Sequence, residues 1–180
     1  MIAEAAWQEF SLRKVLFIPS GDTPNKDMHH IDKNIRYAMV EKAIEGNGHF
    51  MISPIERDRQ GPSYTVDTIR ILQREFGDDY EFYFICGTDA VADLPTWKYN
   101  RELLSACHFI CASRPGNEIE IQKSIDYFGE LGRKKIHFLK TPELAISSTI
   151  LRDWIAEKRS VRYLIPDAVI DIIRSKKLYE

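Results

Sequence analysis

The chain has 180 residues, 44% hydrophobic and 29% charged, with a formal net charge of −2. That balance argues against a basic nucleic-acid groove and a disordered acidic tail, and a chain of this length buries roughly two-thirds of its unfolded surface. No run approaches the ~18 apolar residues of a membrane-spanning helix, and the opening MIAEAAWQEF lacks a basic segment followed by an apolar one. A single cytoplasmic domain (1–180) with no nucleic-acid or membrane partner is expected.

In chain order, Ile2, Ala5, Ala6 and Phe10 recur at helical spacing in residues 2–12, and KVLFIP (14–19) is a β-rich run. Asp32 precedes KNIRYAMVEKAIEG, where Ile35, Met39 and Ala43 share a face before Gly46, so a capped helix is predicted. Residues 49–53 read as a short strand. Ser63 is placed to cap SYTVDTIRILQREF, with Val66, Ile69, Leu72 and Phe76 as its apolar stripe. The run YEFYFIC (80–86), closed by Gly87, reads as a strand buried on both faces. Beyond it the pattern predicts a helix at 101–106, a strand at 108–112, a helix at 118–129, a strand at 135–139, and helices at 148–158 and 167–175. Cys86, Cys107 and Cys111 are odd in number, form no CxxC pair and sit in or beside apolar runs, so buried thiols are expected. A metal site from Cys107, His108 and Cys111 is disfavoured because alternate strand residues face opposite ways.

Strands alternating with helices predict an α/β fold with a doubly wound parallel sheet. The alternation is broken in one place: the helix at 2–12 has no strand before it. A first strand and its strand-to-helix loop, the usual phosphate-binding position, read as missing from the chain.

Ligands of such sheets bind outside the strands' carboxyl ends. PSGDTPNK (19–26) is a Gly/Pro turn that puts Lys26 at its tip as a candidate phosphate contact; His29 and His30 read as solvated. GPSYTVDT (61–68) runs from a turn straight into a helix, setting the Ser63 and Thr65 hydroxyls beside free N–H groups; on the residues alone an ordinary cap is favoured. In CGTD (86–89), Gly87 admits a ligand to the backbone, and Asp89 is placed to accept from a ribose hydroxyl or hold hydrated Mg²⁺. Trp97 in LPTWK either stacks on a heteroaromatic ring or simply packs. Arg114 in SRPG is a candidate phosphate contact. In ISSTILR, the Ser147, Ser148 and Thr149 hydroxyls stand at a helix start, and Arg152 lies on the same face as Ser148 and Thr149. Hydroxyls, free N–H groups and a guanidinium favour a polyphosphate site there over plain capping.

GPSYTVDT, a strand ending in GTD, LPTWK, SRPG, ISSTILR and the closing RYLIPDAVIDIIRSKKLY occur in one order over nearly the whole chain. In that order and spacing the chain resembles bacterial nicotinate-nucleotide adenylyltransferase, whose Rossmann-like nucleotidyltransferase fold and reaction the resemblance implies. ATP and nicotinate mononucleotide would be its partners, with Mg²⁺ carried by ATP; a homo-oligomer is compatible. By matching position, Thr65, Trp97 and Lys98 would bind nicotinate mononucleotide, Trp97 stacking on the pyridine ring. Lys26, Gly87, Asp89, Arg114, Ser147, Ser148, Thr149 and Arg152 would serve ATP. The family's loop of the form GxFDPxHxGH has no counterpart here, so no catalytic residue is carried over and weak or no turnover is expected. Asn25 also stands where many relatives have histidine. A start upstream of Met1 is the favoured explanation over a truncated product or a binding protein without catalysis. The rival readings are a sibling enzyme similar to phosphopantetheine adenylyltransferase and a non-catalytic nucleotide-binding remnant.

Overall fold

A computed structural model describes residues 1–21, 31–61, 63–113, 118–142 and 146–180. In chain order the elements are α1 (Ile2–Glu9), β1 (Val15–Phe17), α2 (Lys33–Ile44), β2 (Phe50–Ile52), α3 (Thr65–Phe76), β3 (Tyr83–Gly87), α4 (Thr88–Asp93), a 3₁₀ turn (Leu94–Thr96), α5 (Asn100–Ala106), β4 (His108–Ser113), α6 (Glu118–Phe128), α7 (Glu130–Lys135), β5 (Ile136–Lys140), α8 (Ser148–Ala156) and α9 (Asp167–Ser175). Every strand pairing among them is parallel, as the alternation of strands and helices requires. The chain divides into two compact units, residues 1–13 with 64–143, and residues 14–63 with 144–180. Among the described residues the strands form two sheets, β3-β4-β5 in the first unit and β1-β2 in the second. No helix among them is long and apolar enough to cross a membrane.

The first unit is built on β4. Phe109, Ile110 and Cys111 are fully buried because β4 has a strand on each side and apolar cover above and below. The register places Tyr83, Ile85, His108, Ile110, His137 and Leu139 on one face. There Ala6, Phe10 and Leu12 pack against Ile110, Leu139, Tyr83 and Ile85. Each fully buried aliphatic or aromatic side chain contributes about 1.5–3 kcal/mol of transfer free energy. The run 80–86 is not buried on both faces as expected: the strand begins at Tyr83, its residues are only half-buried, and Tyr80 is exposed. Its place in the sheet explains the difference, since β3 pairs with β4 alone and the doubly covered position belongs to β4.

Of the three cysteines expected to be buried, Cys107 and Cys111 are, and Cys86 is half-buried. All three are free thiols, and loss of hydration pushes Cys86 and Cys107 up to about 12 and Cys111 to about 11.

In the second unit the Asp32 carboxylate caps α2, accepting from the Asn34 and Ile35 N–H groups at 2.8 and 3.3 Å. Packing of α2 on α9 buries Val169, Ile170 and Ile173, and the Phe17 and Phe50 rings meet edge-on at 5.0 Å between β1 and β2. The α2 stripe expected from the sequence is only partly buried, for none of its residues is fully enclosed.

Candidate nucleotide-binding site

β3 delivers Gly87 to its carboxyl end, exposed and with nothing within 4 Å of an added Cβ. Gly87 caps α4 in extended backbone (φ −86°, ψ 173°), so the strand runs straight into a helix. Asp89 accordingly stands just past the carboxyl end of β3, in the first turn of α4, and is exposed. A carboxylate there projects beside the open N-terminal amides of the helix.

The segment after α4 is tied down at its base. The Thr96 hydroxyl donates to the Asp93 carbonyl (2.7 Å), the Asn100 side-chain amide to the Pro95 carbonyl (2.6 Å), and the Trp97 N–H to the Leu94 carbonyl (3.1 Å). Trp97 is half-buried and meets Phe84 of β3 and Phe109 of β4 edge-on, at 6.1 and 6.4 Å between centroids. Edge contacts of this kind fix the plane of the indole. Lys98 is exposed, its Nζ 5.0 Å from the Tyr64 ring and 5.3 Å from the Tyr99 ring. Tyr64 is the N-cap of α3, and half-buried Thr65 is that helix's first residue. The Lys98–Tyr64 contact therefore brings Lys98 to the start of α3 from a segment far away in the chain.

Ser63 does not cap α3. Tyr64 occupies the cap in extended backbone, and the Ser63 hydroxyl is buried without a hydrogen-bond partner.

Arg70 and Tyr99 were not singled out in the sequence. The Arg70 guanidinium reaches Glu102 of α5 through Nε (2.7 Å) and Nη2 (2.6 Å) and Asp67 through Nη1 (2.8 Å), and it lies 5.3 Å from the Tyr99 ring. Tyr99 adopts a left-handed backbone (φ 56°). An exposed arginine on a polar helix face gives no sequence signal of such a bridge.

In the second unit Ser147 caps α8, its hydroxyl accepting from the Ile150 N–H at 3.2 Å, while Ser148 is exposed. Thr149 accepts from Arg152 Nη2 at 3.2 Å, so the spacing rule that set these two on one face holds. Capping accounts for Ser147; it does not account for the Thr149–Arg152 pair. Tyr179, another residue without a sequence signal, is half-buried, which pushes its phenol up, while the Arg152 and Arg36 charges pull it back. Arg36 holds the loop after β1, donating from Nη1 to the Ser20 carbonyl (2.8 Å) and hydroxyl (3.0 Å) and from Nη2 to the Gly21 carbonyl (2.7 Å). Lys26 and Arg114 lie outside the described residues, as do His29 and His30. Among the described residues no group of three or more His, Cys, Asp or Glu side chains is arranged to hold a metal ion.

A family model described as cytidylyltransferase-like matches residues 1–153. The probable nicotinate-nucleotide adenylyltransferase of Moorella thermoacetica is 44% identical over 179 residues, covering 98% of this chain and 82% of that protein. The protein of the same name from Thermoanaerobacter sp. is 41% identical over 180 residues, covering 99% and 85%. Among solved structures, the nicotinic acid mononucleotide adenylyltransferase of Plasmodium falciparum complexed with NaAD matches with a TM-score of 0.75 at 19% identity, over 99% of this chain and 90% of that one, which supports the Rossmann-like fold. Identity at this level over nearly the full chain makes the chain a member of the nicotinate-nucleotide adenylyltransferase family, within the cytidylyltransferase-like group.

Proposed function

We propose that the protein transfers the adenylyl group of ATP to nicotinate mononucleotide. A 5′-phosphate oxygen of the acceptor attacks the α-phosphorus, the bond to the β-phosphate bridging oxygen breaks, and deamido-NAD and pyrophosphate leave. No protein nucleophile is needed. The protein's part is to align the two phosphates and offset developing negative charge.

The observation that carries this reading is the contact in the first unit between Lys98 and Tyr64, 5.0 Å from ammonium to ring, which sets the Trp97–Lys98 segment beside the start of α3, where Thr65 is the first residue. A flat indole with a fixed plane, a cation and the N-terminal amides of α3 suit a pyridine carboxylate. Trp97 stacks on the ring, while Lys98 and the amides at Thr65 face its negative charge. The open backbone at Gly87 admits the nucleotide, and Asp89 takes the ribose hydroxyls or the hydrated Mg²⁺ that accompanies ATP on its phosphate oxygens. In the second unit Ser148, Thr149, Arg152 and the amides of the α8 N-terminus suit phosphate oxygens, with Ser147 fixing the helix start; the resemblance adds Lys26 and Arg114, which lie outside the described residues, as phosphate contacts. The names of the relatives, and of structural neighbours complexed with NaAD and with APC, point to the same two ligands.

The test is formation of deamido-NAD from Mg-ATP and nicotinate mononucleotide, with phosphopantetheine as a parallel acceptor. Trp97→Ala should weaken nicotinate mononucleotide roughly 5- to 100-fold, the equivalent of about 1–3 kcal/mol of ring stacking, and leave ATP nearly unchanged. Equal losses for both ligands, or turnover with phosphopantetheine instead, would assign a different acceptor.

A further inference from the structure

We infer that the loop between β2 and α3, in its described residues 53–61 and 63, carries an oxyanion-binding site built on the Arg59 guanidinium and the Ser63 hydroxyl, with a phosphoryl group as its ligand.

Nε and Nη2 of an arginine point to the same side and form the fork that grips two oxygens of a carboxylate or phosphate. In Arg59 these two nitrogens are buried with no hydrogen-bond partner among the described residues, and the Ser63 hydroxyl is buried in the same condition. Arg57, in the same loop, shows the contrast: its Nε and Nη2 fill the same fork with the two Asp58 carboxylate oxygens at 2.7 and 3.1 Å. Arg36 likewise spends Nε, Nη1 and Nη2 on the Ile31, Ser20 and Gly21 acceptors. Folded proteins pair their buried polar groups, and an ionised group enclosed without a counter-charge is among the costliest exceptions. Arg59, half-buried as a residue, leaves two guanidinium nitrogens enclosed and unpaired.

The loop is held in the shape that encloses it. The Asp58 N–H donates to the Pro54 carbonyl (2.9 Å), the Ile55 N–H to the Ser53 hydroxyl (3.3 Å), and the Arg57 guanidinium sits 4.3 Å from the Tyr37 ring. Gly21 presses so closely on the loop that a Cβ there would collide with the Glu56 carbonyl oxygen. The loop also leaves the carboxyl end of β2, the edge where parallel sheets present ligand groups. A phosphoryl group offers two oxygens to the fork and keeps a third for a hydroxyl, the other unpaired donor of this loop being that of Ser63, so it suits this donor set better than a carboxylate does.

Thermal melts of the wild type, Arg59→Met, Arg59→Lys and Trp97→Ala decide the matter, each in phosphate-free buffer, with inorganic phosphate, and with nicotinate mononucleotide. Saturating inorganic phosphate should raise the wild-type Tm by roughly 2–5 °C and raise that of Arg59→Met clearly less, the remainder being phosphate at the α8 start, with Arg59→Lys between them. In phosphate-free buffer Arg59→Met should melt at or above the wild type, because an enclosed unpaired charge has been replaced by an apolar chain of similar length. An equal phosphate response in Arg59→Met, no response in the wild type, or a clearly lower Tm for Arg59→Met without phosphate would each overturn the inference. Trp97→Ala separates it from the acceptor assignment: that variant should keep the phosphate response while losing stabilisation by nicotinate mononucleotide. A phosphate response that survives while nicotinate mononucleotide stabilises no variant would retain this site and remove the acceptor reading.

Discussion

His108 and His137 stand 2.8 Å apart, Nδ1 to Nε2, and Lys135 Nζ lies 3.0 Å from His108 Nε2. An ammonium can only donate, so His108 Nε2 accepts, its Nδ1 carries the proton, and His137 Nε2 accepts in turn. Tyr83 stacks on His108 at 4.7 Å and Phe10 lies 5.7 Å from His137, which limits water. Burial, and after it the Lys135 charge, lower the basicity of both imidazoles; for His108 the His137 ring adds to this and Glu81 opposes it. The folded protein therefore binds fewer protons here than the unfolded chain, whose histidines titrate near ~6.5. Stability is fully present above that value and is lost as pH falls through the lowered folded midpoints. An NMR titration of the imidazole protons should place both midpoints below the ordinary value, Lys135→Met should raise both, and melts should show Tm falling between about pH 7 and pH 5. Midpoints at or above the ordinary value would refute the arrangement. Nothing in the sequence announced this trio. His108 and His137 meet because parallel register sets His137 against Ile110, leaving it diagonal to His108, and register is a product of packing. The Thr149–Arg152 pair was legible for the opposite reason, because helical spacing is local.

At the scale of elements, the stretch least legible in the sequence was ELGRKK, which forms α7 where no helix was expected. Of the two glycines here, Gly129 turns the chain at φ 63° between α6 and α7. Gly132 serves close approach. A Cβ there would stand 2.5 Å from the Ile125 carbonyl oxygen, 3.0 Å from the Ile125 Cα and 3.1 Å from the Phe128 Cβ. Helix propensity alone favours Ala over Gly by about 1 kcal/mol. The opposing contact is with backbone, and Ile125 and Phe128 are themselves buried, so neither yields cheaply. We expect overpacking to win by roughly 1–3 kcal/mol, lowering the Tm of Gly132→Ala by about 3–10 °C. Gly48, with nothing within 4 Å of an added Cβ, is the control, and its Ala variant should melt within about 2 °C of the wild type. An unchanged or raised Tm for Gly132→Ala would show that α6 and α7 have room to separate.

Across the whole molecule, alternation in the sequence was enough to give the α/β class and the parallel sense of every pairing, because each βα step is written in local periodicity. Which strands share a sheet was not legible. Sheet order depends on long-range pairing, and the five described strands divide three and two. That division has an energetic consequence within each unit. β4 hydrogen-bonds on both edges, and Phe109, Ile110 and Cys111 have no exposed surface. β1 and β2 form a two-stranded sheet whose residues, apart from Val15, are half-buried or exposed. Two-stranded sheets are marginal on their own, and local opening free energy follows buried apolar contact. Amide exchange should therefore be slowest in residues 109–112, approaching the rate set by global unfolding. Residues 15–17 and 50–52 should exchange at least ~10-fold faster, a gap of about 1.4 kcal/mol in opening free energy. Mass spectrometry of exchanged peptides measures both in one experiment. Equal protection would mean that β1 and β2 open only when β4 does, and that the small sheet draws its stability from the helices of its own unit, α2, α8 and α9, rather than from strand pairing.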